Sequence, residues 1–433
     1  MKKALIITYY WPPSGGAGVQ RWLKFVKYLK SWGWEPVVYT PENPESPEID
    51  ESLFSDVPEN IEIIKQPIWE PYNLYKQFIG KGKKEKIHAA FLAEKKRNPL
   101  MESLSVWIRG NFFIPDARKF WINPSIRFLK SFLDKKPVDL IISTGPPHSM
   151  HLIAMAVAES KSLPWIADFR DPWTGIDFYK DLKLTRFADK KHRCFEREVL
   201  KKASAVVVIS RSMAGEFSRL HNRDYDVITN GYDEDDIPDQ LIKPDKKFSV
   251  VHLGSLVGTR NPLVLWQAIS QLLDQQSDLR NDLVIKLIGK VDYSAIDSIE
   301  KHGLTGYIER TDYLPHADVV KMQLQSRVLL LLINNTPNAK SILTGKFFEY
   351  LAAKRPILCI GPPDGDAAAI LAETGSGLIS GFNDLQKLKD NILLYYSNYK
   401  EGKLISESRN IGNYSRKNLT GKLSELMNKL TTL

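Results

Sequence analysis

Apolar residues along this chain come in short blocks separated by helical patterns. Ala4–Tyr10 (ALIITYY) is of strand length and stops at Trp11-Pro12-Pro13. After the loop Ser14-Gly15-Gly16-Ala17-Gly18, the positions Val19, Trp22, Leu23, Val26 and Leu29 recur near the 3.6-residue period, and Gly33 follows as a stop. That spacing predicts one helix covering the first strand. Pro36–Tyr39, Asp139–Thr144, Trp165–Phe169 and Ala205–Ser210 repeat the strand pattern, with helical segments Ser149–Ser160 and Phe187–Lys202 among them. Beyond Glu234–Lys247, an acidic, proline-bearing stretch without periodicity, a second series begins. Its strands are Ser249–Leu253, Leu283–Ile288, Tyr307–Arg310, Val328–Ile333, Ile357–Ile360 and Leu378–Ile379, and its helices include Pro262–Gln276 and Lys346–Lys354. Repeated strand–helix alternation implies parallel sheets clothed by helices on both faces. The expectation is an α/β protein of two Rossmann-like, doubly wound domains, residues 1–233 and 248–433, joined by a hinge at 234–247. The last helix is placed to pack back on the first domain. Ligands of such sheets bind outside the carboxyl ends of the strands, here in a cleft between two domains.

Composition narrows the class. With 433 residues, of which 43% are hydrophobic and 26% charged, the chain is an ordinary globular protein of two or three domains. Cys194 and Cys359 are the only cysteines, far apart and without metal-ligand spacing, which argues against a structural zinc or a redox pair and for a reducing compartment. The longest apolar run, Val328–Ile333 (VLLLLI), is far short of a membrane span. The N-terminal stretch reaches prolines and glycines too early for a secretory signal. A cytoplasmic location follows as the expectation.

The net charge of +9 is unevenly placed. Residues 76–136 alone carry 15 basic against 5 acidic side chains, mixed with Phe78, Phe91, Trp107, Phe112, Phe113 and Trp121. The segment reads as an inserted basic helical region with exposed aromatics. Its partner is anionic: nucleic acid, a phosphorylated ligand or a membrane surface.

Three loops carry candidate chemistry. In SGGAGVQR, Gly15 and Gly16 let backbone approach a ligand at a helix start, although an ordinary strand-to-helix turn has the same composition. In HLGSLVGTR, Gly254 and Ser255 lead to Arg260. In TGKFFEYLAA, Thr344 and Gly345 open a helix on which Lys346 and Glu349 share one face. A lysine and free amides there suit a diphosphate, and a glutamate one turn on suits the two hydroxyls of a ribose. The alternative is a surface ion pair between the two side chains. Asp168, Arg170 and Asp171 end a strand and either meet an acceptor or neutralise one another. His148 and His151 begin a helix, where a hydrogen-bonded structural role competes with a functional one. Asp116, in FFIPDARKFW, is placed to bind a sugar.

The glycine loop, the ITNGYD segment, HLGSLVGTR and TGKFFEYLAAKRPIL follow in an order that resembles the retaining glycosyltransferases of family 4, which have the GT-B fold. With STGPPHS and DFRDPW, the likeness is closest to bacterial members that build surface polysaccharides. The resemblance implies that Gly15 and Gly16 touch the donor diphosphate, together with Gly254, Ser255, Thr344 and Gly345. It makes Arg260 and Lys346 the cations on the departing diphosphate and Glu349 the ribose ligand, with His148 as a catalytic candidate. Asp168, Arg170, Asp171 and Asp116 are left for the acceptor. The chain departs from the family in three places: Ser255 stands for one of two cations, Ser341 for a glutamate eight residues before Glu349, and Thr144 for a histidine, with His148 just beyond it.

The reading is therefore a retaining, metal-independent transferase that takes a nucleotide sugar as donor substrate and needs no cofactor. Its acceptor is a saccharide, free or linked to a polyprenyl lipid, and its basic segment rests peripherally on an anionic membrane rather than on nucleic acid. A GT-B sugar-nucleotide epimerase, a nucleic-acid binder and a non-catalytic partner protein are the alternatives. An epimerase requires an acid/base set that only His148, Asp168 and Asp171 could supply.

Overall fold

The computed structural model describes residues 1–46, 48–70, 99–238, 242–312 and 314–432. It forms two compact units, Met1–Thr229 with Arg416–Leu433, and Asn230–Ser415. The first contains β1 (Lys2–Ile7), β2 (Trp34–Pro41), β3 (Glu62–Gln66), β4 (Leu140–Gly145), β5 (Trp165–Phe169), β6 (Ala205–Val208) and β7 (Asp226–Val227). They make one sheet in the order β3-β2-β1-β4-β5-β6-β7, parallel throughout. The second contains β8 (Phe248–Leu253), β9 (Leu283–Ile288), β10 (Ile308–Thr311), β11 (Val328–Leu332), β12 (Ile357–Ile360) and β13 (Gly377–Ser380), ordered β10-β9-β8-β11-β12-β13 and also parallel. In both sheets the strand order reverses beside the first strand, between β1 and β4 and between β8 and β11. Those reversals are where a doubly wound sheet opens a crevice at its carboxyl edge.

Strand alternation sorts the cores. Ala4 and Ile6 face Trp22 and Phe25 of the helix Ala17–Leu29, together with Leu419, Leu423 and Met427 of the last helix, Arg416–Thr431. Leu5 and Ile7 face the opposite way, toward Trp121 and Leu129 of the helix Lys119–Lys135 and Met150 and Ile153 of the helix Ser149–Lys161. The last helix thus belongs to the first unit. In the second unit Val250, Leu330 and Leu332 pack on Trp266 of the helix Leu263–Gln275, while Val251, Leu329 and Leu331 pack on Phe347 and Phe348. Asn230–Asp233 lie with the second unit, where the Tyr232 amide donates to the Tyr414 carbonyl. Asp233 caps a short turn, Glu234–Asp236, at the start of the predicted hinge.

Within the basic segment, the helices Pro99–Phe112 and Lys119–Lys135 are present. Phe78, Phe91 and the lysines before residue 99 lie outside the described residues. Trp121 corrects the picture of exposed aromatics. It is 1% exposed and stacks on Tyr39 with ring centroids 4.9 Å apart. Its helix buries Trp121, Ser125, Leu129 and Leu133, one side of the cylinder. No helix among the described residues is long and apolar enough to cross a membrane.

Candidate functional site

In the second unit, the chain leaves β8 at Leu253 and turns at Gly254, whose φ of 97° favours glycine. The space a side chain would need there is taken, since a Cβ would lie 2.7 Å from Lys346 Nζ. Lys346 is the second residue of the helix Gly345–Ala352, and its ammonium donates to the Leu253 carbonyl at 2.6 Å. One turn along, the buried Tyr350 hydroxyl accepts from the Leu253 amide at 3.1 Å. Two bonds therefore moor this helix to the end of β8. Arg260, from the turn Gly258–Arg260, donates through Nε to Asn334 Oδ1 at 2.6 Å, just beyond β11, and through NH1 to the Ser255 carbonyl at 3.3 Å. Both cations thus sit at the β8–β11 reversal.

Burial, reinforced by Arg260 and opposed by Glu349, brings the Lys346 ammonium down to about 7. Beneath them the buried His252 donates from Nδ1 to the Leu330 carbonyl; burial, Lys346 and Arg260 hold its ring neutral. Lys346 and Glu349 do not pair with each other. Glu349 accepts instead from Gln323 Nε2 at 2.9 Å. The helix start is open: nothing lies within 4 Å of a Cβ built on Gly345, and the buried Thr344 hydroxyl has no partner among the described residues. Ser341 is buried and donates to the Asn338 carbonyl at 2.9 Å.

The first unit treats its candidates differently. Gly16 adopts a φ of 85° and remains exposed at the helix start. Gly15 is corrected: it is buried, its amide donates to the Glu48 carbonyl at 3.0 Å, and it has no donor left for a phosphate. Asp168 is corrected as an acceptor ligand. It is 1% exposed and accepts from Arg21 Nε and NH2 (2.8–3.2 Å), Trp22 Nε1 (2.7 Å) and Thr144 Oγ1 (2.9 Å). Burial alone would raise its pKa, but Arg21 and the three sets of hydrogen bonds prevail and hold it below the usual carboxylate range. Arg21 also donates to the Ile228 and Thr229 carbonyls, so the pair clamps the helix Ala17–Leu29 to both ends of this half-sheet.

Arg170 is half-buried, and its guanidinium donates to the carbonyls of Gly18 (2.7 Å) and Pro146, bridging two loops. Asp116 lines a cavity, but its carboxylate caps the helix Ser149–Lys161 by accepting from the Ser149 amide (2.9 Å) and hydroxyl (2.7 Å) and also takes the Arg118 amide. Asp171 alone of the four keeps an exposed side chain.

That cavity, about 290 Å³, opens at the carboxyl ends of β1 and β4 and is lined by Tyr10, Arg109, Asp116, His148, Trp173 and His192, with further apolar side chains. The His148 ring lies parallel to Trp173 at 4.6 Å, and the Trp173 indole donates to His192 Nδ1 at 3.1 Å. Burial, with His151, Arg170 and His192 nearby, keeps His148 neutral. His151 is fully buried and bonded through Nδ1 to Ser143 Oγ at 2.8 Å, so its role is structural. Glu196, on the helix Arg186–Lys202, accepts from the Trp173 and Thr174 amides and the Thr174 hydroxyl and fixes this cavity wall. His192 and Glu196 escape sequence reasoning because they lie outside the quoted motifs, and Trp173 and Tyr350 because, inside DFRDPW and TGKFFEYLAA, they read as core aromatics. The face Asp189, His192, Arg193, Glu196 at helical spacing is the signal that was available.

Among curated proteins, none matches this sequence. It does match the family profile described as Glycosyltransferase Family 4 over residues 15–236 and that of Glycosyl transferases group 1 over residues 233–418. Among solved structures it is similar to a glycosyltransferase from Rickettsia africae, with TM-score 0.63 and 14% identity over 99% of this chain and 98% of that one. It is similar also to a sucrose-phosphate synthase from Thermosynechococcus elongatus (0.61, 12%, all of both chains) and to HepE of Anabaena in complex with UDP-glucose (0.58, 12%, 99% and 100%). The first profile spans half of the chain, the second most of the remainder, and the fold of both units agrees: the protein belongs to glycosyltransferase family 4 and has the two Rossmann-like domains of the GT-B fold.

Proposed function

We propose that the protein moves a hexosyl group from a nucleotide sugar to a saccharide acceptor, with retention of configuration, in cell-surface polysaccharide synthesis. The observation that carries this is the convergence of Arg260, Lys346 and the Gly254 turn at the strand reversal of the second sheet. In the reaction, the bond from the anomeric carbon to the diphosphate oxygen breaks and its electron pair leaves with the diphosphate. The acceptor oxygen bonds to the anomeric carbon from the same face, and the acceptor proton passes to the departing phosphate oxygen. Arg260, Lys346 and the open amides at Gly345 are preorganised for the charge that grows there. The mechanism assigns no step to a metal or to any other cofactor. Glu349, which does not pair with Lys346, is offered to the ribose hydroxyls.

The acceptor, free or lipid-linked, enters the first unit's cavity. There the neutral His148 meets a sugar hydroxyl and Asp171 lies exposed at the end of β5. We place the work in the cytoplasm. The epimerase alternative is weakened because Asp168, one of its two carboxylates, is locked in a buried ion pair. Thermal-shift and calorimetric titration against a panel of sugar nucleotides tests the proposal. A rise in melting temperature with one of them, reduced in Glu349→Gln, is expected; no shift with any member of the panel refutes it.

A further inference from the structure

Six aromatic side chains with at least a third of their surface in solvent belong to one region of the first unit: Trp69, Trp107, Phe112, Phe120, Phe178 and Phe187. They are gathered, not scattered. Trp69 meets Phe120 edge-on at 4.8 Å, Trp107 meets Phe112 at 5.7 Å, and Phe113 meets Phe120 at 6.2 Å. Asn111 ties the helix Pro99–Phe112 to the approach to Phe187, donating to the Lys183 carbonyl and accepting from the Thr185 amide at 2.7 Å. Phe113, Phe178 and Arg109 line the cavity, and the last two are exposed, so this aromatic patch borders the cavity mouth.

Cations are interleaved with the rings. Lys119 Nζ stands over Phe120 at 5.0 Å and over Phe113 at 5.7 Å, and Arg109, Lys180, Lys183, Arg186, Lys190 and Lys191 are exposed. The acids of the same elements are fewer: Asp177 and the exposed Asp181 on the turn Asp177–Leu182, Asp189, which pairs with Arg193, and Asp116, which takes the Ser149 amide. Solvent therefore meets apolar rings and an excess of positive charge together. Protein interfaces are poor in lysine, whereas an anionic bilayer rewards both features, because rings enter the headgroup layer and lysines meet lipid phosphates.

We propose that this face docks on an anionic lipid bilayer and sets the cavity mouth at headgroup level. Trp107 and Phe112 are residues the sequence also suggested, whereas Trp121 is core and Trp69, Phe178 and Phe187 come from outside the basic segment. The test is co-sedimentation with vesicles of phosphatidylcholine alone and of phosphatidylcholine with one-third phosphatidylglycerol. It needs neither donor nor transfer, so its outcome is independent of the reaction proposed above. Binding to the anionic vesicles that falls as salt rises is expected. Two triple variants, Trp107→Ser/Phe112→Ser/Phe187→Ser and Lys180→Glu/Arg186→Glu/Lys190→Glu, each change only exposed positions and should keep the native melting temperature. Each is expected to bind more than about tenfold more weakly, since one surface cation alone contributes roughly fivefold. Equal recovery with both vesicle types overturns the proposal. So does a native dimer that the serine variant dissolves, or binding of a single-stranded oligonucleotide that both variants lose while vesicle binding persists.

Discussion

The carboxyl ends of the two sheets share a topology and use their charged residues in opposite ways. At the end of β5 in the first unit, Asp168 and Arg21 are sealed inside, each 1% exposed, with every bond going to protein. At the end of β8 in the second, Arg260 and Lys346 stay half-buried around an open helix start, their groups given to carbonyls and to Asn334. A sealed pair holds a fold together and a partly open pair can receive a ligand. The same strand-end position thus serves architecture in one unit and chemistry in the other, and the neighbours decide which.

The largest effect should come from breaking the sealed pair. Asp168→Asn leaves the Arg21 charge buried and uncompensated, a loss on the order of 3–5 kcal/mol. Equilibrium unfolding should show it, whereas Arg260→Ala should stay within roughly 1 kcal/mol of the native stability. Asp168 has a depressed pKa when folded. Its contribution is therefore present above the unfolded carboxylate value of about 3.9 and is lost as pH falls through the folded value. His151 adds an earlier acid step. Burial brings its ring down to about 3, so stability begins to fall as pH drops below roughly 6.5. A melting temperature that is flat from pH 7 to pH 5 would contradict that assignment.

The next effect belongs to the open pair. Arg260→Ala and Lys346→Ala should each lower kcat by on the order of 10²-fold and raise the donor KM less, since the charge they meet is largest in the transition state. Steady-state kinetics decide. A rise in KM at constant kcat would make them ground-state binders only.

The contrast between the two ends was half legible. Arg260, Lys346 and Glu349 follow strand ends in glycine-bearing loops or open a helix, and such positions expose chemistry by construction. Asp168 also ends an apolar block, and that pattern alone leaves open whether it meets an acceptor or only balances a neighbouring charge. Strand parity decides. It shares a side of β5 with Ile166, which packs with Trp22 and Phe25, so it points at the helix that carries Arg21. Likewise Trp121 keeps helical spacing with Leu129 and Leu133, which places it inside. β3 went unseen because an edge strand with mostly half-buried positions leaves no apolar block to read. What stayed hidden in principle is the wall of the cavity, since it depends on Glu196 reaching the Trp173 loop from another element.

Glu349→Gln sharpens the picture of the open end with a smaller effect. It keeps the shape and the Gln323 contact is replaceable, but hydrogen bonds from ribose hydroxyls lose their charged acceptor. Donor binding should weaken by roughly 1.5–3 kcal/mol with the fold intact. Calorimetry that returns the native affinity would remove Glu349 from the donor site.

The smallest effect is a pH dependence confined to Lys346. Its free-state value of about 7 means that part of the population is uncharged at neutral pH, whereas a bound diphosphate favours the ammonium. Binding must then take up a proton above pH 7. Donor affinity should be greatest below 7 and should fall by up to about tenfold per pH unit above it, roughly 1.4 kcal/mol by pH 8. A nucleotide sugar is the right probe, because its esterified diphosphate loses no proton in that range. Calorimetry in two buffers of different ionisation heat measures the uptake directly. Lys346→Arg separates charge from titration: a guanidinium stays charged throughout, so this variant should bind with an affinity that no longer changes between pH 7 and pH 8.5. If its pH profile matches the native one, the titrating group is elsewhere, and the half-buried ammonium beside Gly254 is not what meets the diphosphate.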